Sequence, residues 1–171
     1  AADGTLLQEV RPSRAFGAVC AVAYSPCGGR VMAGGSDDVL RVMDADAGSV
    51  LSEKRLSGMV LSLACSPDGR GIAAGCRNGH ITNLCTEAVV DVAISKAPIR
   101  SVAYVVGSSV IVSGDANGIL RTLDVHTGLV LQSVALQFSI QSLAYSRRGG
   151  ALAVLTSRDL RGVEAGDGRR Q

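Results

Sequence analysis

The sequence predicts an all-β chain built of repeated four-stranded antiparallel units. Three observations predict it. The segments AVAYSPCG (21–28), SLACSPDG (62–69), SVAYVVGS (101–108) and SLAYSRRG (142–149) align, with anchors Val22, Leu63, Val102 and Leu143 at intervals of 41, 39 and 41 residues. A glycine-bearing strand and a tight turn follow three of these anchors, as AGGSDD (33–38), AAGCRNG (73–79) and VSGDANG (112–118). Two segments, DADAG (44–48) and DVHTG (124–128), then lead into apolar-rich strands. Self-similarity at a period near 40 means that each repeat is one supersecondary unit.

The elements follow in order. Residues 3–10, DGTLLQEV, read as the hairpin turn and outer strand of a preceding unit. RPSR (11–14) is its connector, and Pro12 excludes a central strand there. Residues 1–14 are therefore the end of one unit, and 15–56 form the next. Its strands are expected at Val19–Tyr24, Arg30–Gly34, Val39–Met43 and Val50–Leu56, with Ser25-Pro26-Cys27-Gly28-Gly29 as the first turn. Asp38 stands where the next two units have Gly79 and Gly118, so it must take a left-handed backbone, which Asp tolerates better than most residues. The unit 57–97 has strands near 60–65, 71–75, 80–84 and 88–94, with TEA (86–88) in place of the D-x-x-T-G turn. The unit 98–136 replaces the SPDG turn with VVGSS (105–109). Residues 137–171 are a partial unit and tail, in which SRDLRGVE (157–164) supplies a third strand.

SPCG and SPDG after the first strand, the Asp/Asn turn, LRVMD (40–44), LRTLD (120–124) and the D-x-x-[TA]-G turn resemble the WD-repeat β-propeller family. The resemblance runs from Ala15 to about Glu164. It implies a β-propeller of four-stranded antiparallel blades, of which about three and a half to four are present. Propellers carry roughly 4–8 blades, so the chain is expected to be part of a larger propeller, completed by the same chain or another copy. The repeats are degenerate. The place of the namesake Trp holds Met43, Leu84 and Leu123, and the register of the family histidine holds Ala15, Leu56, Ser95 and Leu136. The buried His–Asp–Trp network of well-formed blades therefore cannot form, and the blades are expected to rely on apolar packing.

Composition excludes several classes. Hydrophobic residues make up 47% of 171 residues, enough for a sizeable core and incompatible with disorder. A net charge of +2 is too small to argue for nucleic acid or a membrane surface. No run approaches the roughly 18 apolar residues of a transmembrane helix. Five cysteines without a regular framework point to a reducing compartment, the cytoplasm, with cytoskeleton or cilium included.

Chemistry-bearing constellations are sparse. Cys76-x3-His80-x4-Cys85 offers soft ligands of the kind zinc takes. However, His80 and Cys85 sit at opposite ends of one strand, about 17 Å apart by the rise per residue. The set reads as small buried cysteines and a turn histidine, with no metal and no cofactor expected. Cys20 and Cys27 flank the first turn, close enough in sequence for a disulfide; in a reducing compartment free thiols are expected. His126 lies in a hairpin turn, and no nucleophile elbow or phosphate loop is present. Asp37/Asp38 and Asp44/Asp46 fall on turn positions that explain them without catalysis. Arg147, Arg148, Arg158, Arg161, Arg169 and Arg170 outnumber Asp159, Glu164 and Asp167, but the tyrosines that would stack on bases sit at a core register. The chain is therefore expected to be no enzyme.

By the resemblance, binding sites lie where the loops from fourth to first strands emerge. The apolar residues there are Phe16, Met59, Pro98 and Phe138. They either anchor an interface or cap the core between blades, and both readings stand at this level. The function the resemblance implies is a non-catalytic scaffold that binds other proteins within a larger complex, with no nucleic acid and no membrane. The alternative is an enzyme or ligand-binding protein on a lactonase-like or quinoprotein-like propeller.

Overall fold

The computed structural model describes residues 17–85, 89–146 and 151–164, and these form strands and turns without a helix. The expected features at 3–10, 11–14, 86–88 and 166–171 lie outside the described residues. Strands β1 (Val19–Tyr24), β2 (Arg30–Gly35), β3 (Val39–Asp44) and β4 (Val50–Arg55) make one antiparallel sheet in sequence order. The second sheet holds β5 (Val60–Cys65), β6 (Gly71–Cys76), β7 (His80–Cys85) and β8 (Val89–Ala93), again in order. The third holds β9 (Ile99–Tyr104), β10 (Val110–Asp115), β11 (Ile119–Asp124) and β12 (Val130–Ala135). Among the described residues the fourth has three strands, β13 (Ile140–Tyr145), β14 (Ala151–Thr156) and β15 (Leu160–Glu164).

The turns explain why these strands pair in order. Gly28, Gly69 and Gly107 have φ of 77°, 75° and 76°, a conformation that glycine takes without steric cost. In the first two turns a serine holds the hairpin shut: the amide of Arg30 donates to Ser25 Oγ (3.0 Å), and that of Gly71 to Ser66 Oγ (2.7 Å). VVGSS closes a connection of the same length, with its left-handed glycine one position earlier and without that serine. Asp44 Oδ1 accepts from the amides of Asp46 and Ala47, and Asp124 Oδ1 accepts from those of His126 and Thr127. Both carboxylates cap their own hairpins, as Asx turns do. Asp38 adopts φ 60°, the left-handed conformation its place in the repeat requires.

The sheets pack through their first strands: β1 on β5, β5 on β9, and β9 on β13. The second strand of each sheet also meets the first strand of the next. A single wedge recurs at these junctions. Val60, Ile99 and Ile140 are fully buried against Gly34, Gly75 and Gly114 of the preceding sheet. A Cβ on Gly34 would lie 2.8 Å from Val60 Cβ, and one on Gly75 2.7 Å from Ile99 Cγ2. Ile140 closes on Gly114 in the same way. The glycines of the repeat are therefore sockets for a β-branched side chain. Each wedge sits beside a β-bulge that skips Leu61, Arg100 or Gln141 and re-aims the strand, and the first strand carries the same bulge at Cys20.

The core is consequently three slabs, one per junction. The first groups Met32, Leu40, Leu56 and Val60; the second Ile81, Ile99, Val102 and Ile111; the third Val112, Leu120, Ile140 and Leu143. Full burial of one such side chain stabilises by about 1.5–3 kcal/mol. The repeat anchors Val102 and Leu143 are buried, whereas Val22 is 66% exposed. The core register of the tyrosines likewise needs correction: Tyr104 is buried, Tyr145 half-buried and Tyr24 67% exposed. The reason is positional, because no described sheet precedes β1. At the other end β14 alternates exposed and buried along its length, with one face on β13's side of the slab and the other open.

Candidate functional site

The loops joining outer to inner strands are pinned by one repeated hydrogen bond. The amides of Ser36, Arg77, Ala116 and Ser157 donate to the carbonyls of Ala18, Met59, Pro98 and Ser139, at 2.8–3.0 Å. Each bond ties the loop entering a first strand to the turn between that sheet's second and third strands. Loop and turn thus share one end of every sheet, on a backbone held at both sides. Met59, Pro98 and Phe138 lie in these loops and are all half-buried; Phe16 is outside the described residues. Arg158 lies over the Phe138 ring, 5.0 Å from its centroid, a cation–π contact from the adjoining turn. Arg77 Nη1 reaches Met59 Sδ at 4.0 Å.

Below this end the sheets hold polar networks, so the expectation of purely apolar blades is corrected. In the third sheet Asp115 is almost fully buried. Its Oδ1 accepts from the amides of Asn117 (3.0 Å) and Ile119 (2.9 Å). Its Oδ2 accepts from Ser95 Oγ (2.8 Å) and Arg121 Nη1 (2.6 Å). Burial pushes the Asp115 carboxyl up, but the hydrogen bonds from Arg121, Ile119 and Ser95 outweigh it and hold it below the ordinary 3.8. Ser95 stands in the register of the family histidine, so a shorter donor has taken over part of that role.

The other sheets solve the same problem with different residues. In the first, Arg41 bridges Asp37 (2.6 Å) and Glu53 (2.9 Å). In the second, Asp91 Oδ1 accepts from Thr82 Oγ1 (2.9 Å) and lies 3.3 Å from His80 Nδ1. In the fourth, Asp159 contacts the Thr156 hydroxyl and Arg161, and both hold its carboxyl below the usual range. The signal was present: Arg41, Arg121 and Arg161 share one register of the third strand, each shortly after an acid in the turn. These networks use their charges internally, as struts between strands.

The other candidate groups do not converge. Cys76 is fully buried, and burial pushes its thiol up to about 11, so the thiol stays protonated near neutrality. His80 turns to Asp91, and the Cys85 side chain is outside the description. Among the described residues no group of three or more His, Cys, Asp or Glu is placed to hold a metal. Cys20 and Cys27 are exposed free thiols, and His126 is exposed in its turn.

Comparison with known proteins places these features. The family model described as WD domain, G-beta repeat, matches residues 4–44 and 50–82. No curated protein matches the sequence. Among solved structures, the chain is similar to the computationally designed Ika4 protein, with TM-score 0.78 and 20% identity over 94% of this chain and 100% of that one. It is similar to the RRP9 WD40 repeats, with TM-score 0.78 and 17% identity over 90% of this chain and 49% of that one. It also resembles the Myceliophteria thermophila Cps50 (Swd1) beta-propeller domain, with TM-score 0.76 and 16% identity over 87% and 53%. The chain thus spans about half the length of these last two proteins.

Proposed function

We propose, on the premise that this is a WD-repeat β-propeller chain, that it is a non-catalytic scaffold binding other proteins within a larger assembly. WD-repeat propeller domains generally mediate protein–protein interactions, and the family is typically non-enzymatic. The observation that carries the reading is the pinned loop end. It presents Met59, Pro98 and Phe138 on a rigid frame, and half-exposed apolar and aromatic side chains of this kind anchor interfaces. Phe16 is proposed as a fourth anchor from its place in the repeat.

The reading includes a larger ring. Val19, Val22 and Tyr24 at one end, and Leu155 and Leu160 at the other, are exposed although their counterparts inside the arc are buried or half-buried. Further blades, from the same polypeptide or a second copy, would cover them. Leu155 occupies the socket position that Gly34, Gly75 and Gly114 fill elsewhere. The next blade must therefore stand off at that point or offer a smaller side chain than the usual wedge. A cytoplasmic location, with cytoskeletal or ciliary assembly as a setting, is part of the same proposal and is supported by the free thiols.

The test is partner capture with the tagged chain and its Met59→Asp and Phe138→Asp variants, using Leu131→Asp on the exposed outer strand as control. Loss of the same proteins from both loop variants, but not from the control, is expected. Identical partner sets in all four would overturn the loop end as the binding face. Stoichiometric metal or quinone in the purified protein would overturn the non-catalytic assignment.

A further inference from the structure

A cleft of about 420 Å³ opens between the first and second sheets. That volume lies within the roughly 300–1,000 Å³ range of ligand pockets. Its walls are Met32, Val42, Leu51, Ile72, Leu84 and Cys65. Arg30 and Arg70, both exposed, stand on its rim. The next junction along the arc shows what is missing. There Tyr104 takes the place of Cys65, Asn83 that of Val42, Ala73 that of Met32 and Gly71 that of Arg30. Tyr104 Oη donates to Asn83 Oδ1 (2.5 Å), and Asn83 Nδ2 in turn donates to the Val125 carbonyl (2.8 Å). Beneath that ring Ile111 and Leu123 are 1% and 2% exposed, whereas their counterparts Ile72 and Leu84 are only half-buried. The cleft therefore lies where Cys65 stops short of the facing sheet, with Met32 and Arg30 lining the part that Ala73 and Gly71 leave to the Tyr104 ring at the next junction.

The rim charge says what kind of chain would enter the cleft. Neither Arg30 nor Arg70 is in an ion pair with a described carboxylate. The acid in the same turn, Asp68, accepts from the Ser66 hydroxyl (2.5 Å) and the Arg70 amide (3.0 Å). Two guanidinium groups flanking an apolar floor complement carboxylates on either side of an apolar side chain. We infer that this cleft is a second protein-docking site, taking an acidic partner segment that inserts an apolar side chain between Arg30 and Arg70. The inference rests on the scaffold reading but uses a surface separate from the Met59–Phe138 loops.

The probe is a fluorescently labelled pentapeptide with phenylalanine between two pairs of glutamates, titrated by anisotropy against the full chain. Its counterparts carry lysines for the glutamates, or serine for the phenylalanine. The acidic aromatic peptide is expected to bind at or below about 1 mM, and the other two more weakly by roughly tenfold. Cys65→Tyr should crowd the cleft against Met32 and Arg30 and weaken binding by about tenfold or more. Arg30→Ser and Arg70→Ser, both on the surface, should each weaken it by roughly threefold and reduce its salt dependence. The Arg variants keep the test valid if the tyrosine disturbs folding. Equal binding of acidic and basic peptides, indifference to the Arg substitutions, or no binding at about 1 mM would each overturn the inference. The Phe138→Asp variant should bind the peptide normally, so failure here and failure of the loop face are separable.

Discussion

The junction between the second and third sheets and the junction between the first and second share one backbone plan. Each has a β-branched wedge in a glycine socket, a bulge beside it and two apolar strands facing two others. They differ at facing positions of the plan, where Tyr104, Asn83, Ala73 and Gly71 of the later junction stand in register with Cys65, Val42, Met32 and Arg30 of the earlier one. Tyr104 and Asn83 seal the later junction with an aromatic ring and a buried hydrogen bond. Cys65 and Val42 leave the earlier one open. A small thiol removes no contact of the wedge, so the sheets stay together, but it cannot reach across the gap. The repeat therefore separates what holds the sheets in place, which recurs, from what finishes each surface, which varies.

The largest expected effect breaks the sealed junction outright. Val102→Asp places an unpaired charge in its slab and should destabilise by about 4 kcal/mol or more, giving an aggregated or non-cooperative chain. A soluble variant with an unchanged urea midpoint would refute the strand register. Next, Tyr104→Cys makes the sealed junction resemble the open one. It should cost about 3 kcal/mol, since it leaves a cavity and removes the donor to Asn83 Oδ1. Chemical denaturation reads the loss, and a change under about 1 kcal/mol would mean that the ring contributes little beyond closure.

Smaller still is the Asp115 network beside that junction. Because its folded carboxyl lies below the ordinary 3.8, its contribution is present above that value and lost as pH falls through the folded value. Asp37, Asp124 and Asp159 are held low as well, so acid sensitivity is shared. Asp115→Asn should lower stability near pH 7 and reduce, without abolishing, the decline between about pH 5 and pH 2. An unaltered pH slope in urea titrations would remove Asp115 from the account. At the bottom of the scale, Val22→Ser occupies the same repeat position as Val102 but at the open end. It should change the stability of the isolated chain by less than about 0.5 kcal/mol. A loss comparable to that of a buried anchor would mean that β1 is already covered, by a second copy or by the N-terminal residues.

Much of the architecture was legible because short-range chemistry decides it. Asp44 and Asp124 cap their own hairpins, Gly28 and Gly69 turn the first loops, and Asp38 takes its left-handed place from its position in the repeat. The loop residues Met59, Pro98 and Phe138 were locatable for the same reason, since the repeat says where each loop falls. The polar struts were not read, although Arg41, Arg121 and Arg161 recur in register. Asp37, Asp115 and Asp159 precede them closely, but Glu53 and Ser95, which complete two of the struts, belong to another strand and a loop, and pairing over that distance carries no spacing signal. The cleft was invisible too, because Cys65 in place of a tyrosine is only a smaller apolar residue until the facing sheet is present.

The sequence by itself determined the strands, their order and the repeat, through turn residues and alternation that act within a few residues. Only the tertiary structure decided which equivalent positions are buried. Val22 and Val102 share a register, yet one lies open and the other is sealed. Burial depends on whether another sheet stands opposite, and that neighbour is supplied by residues about 40 positions away.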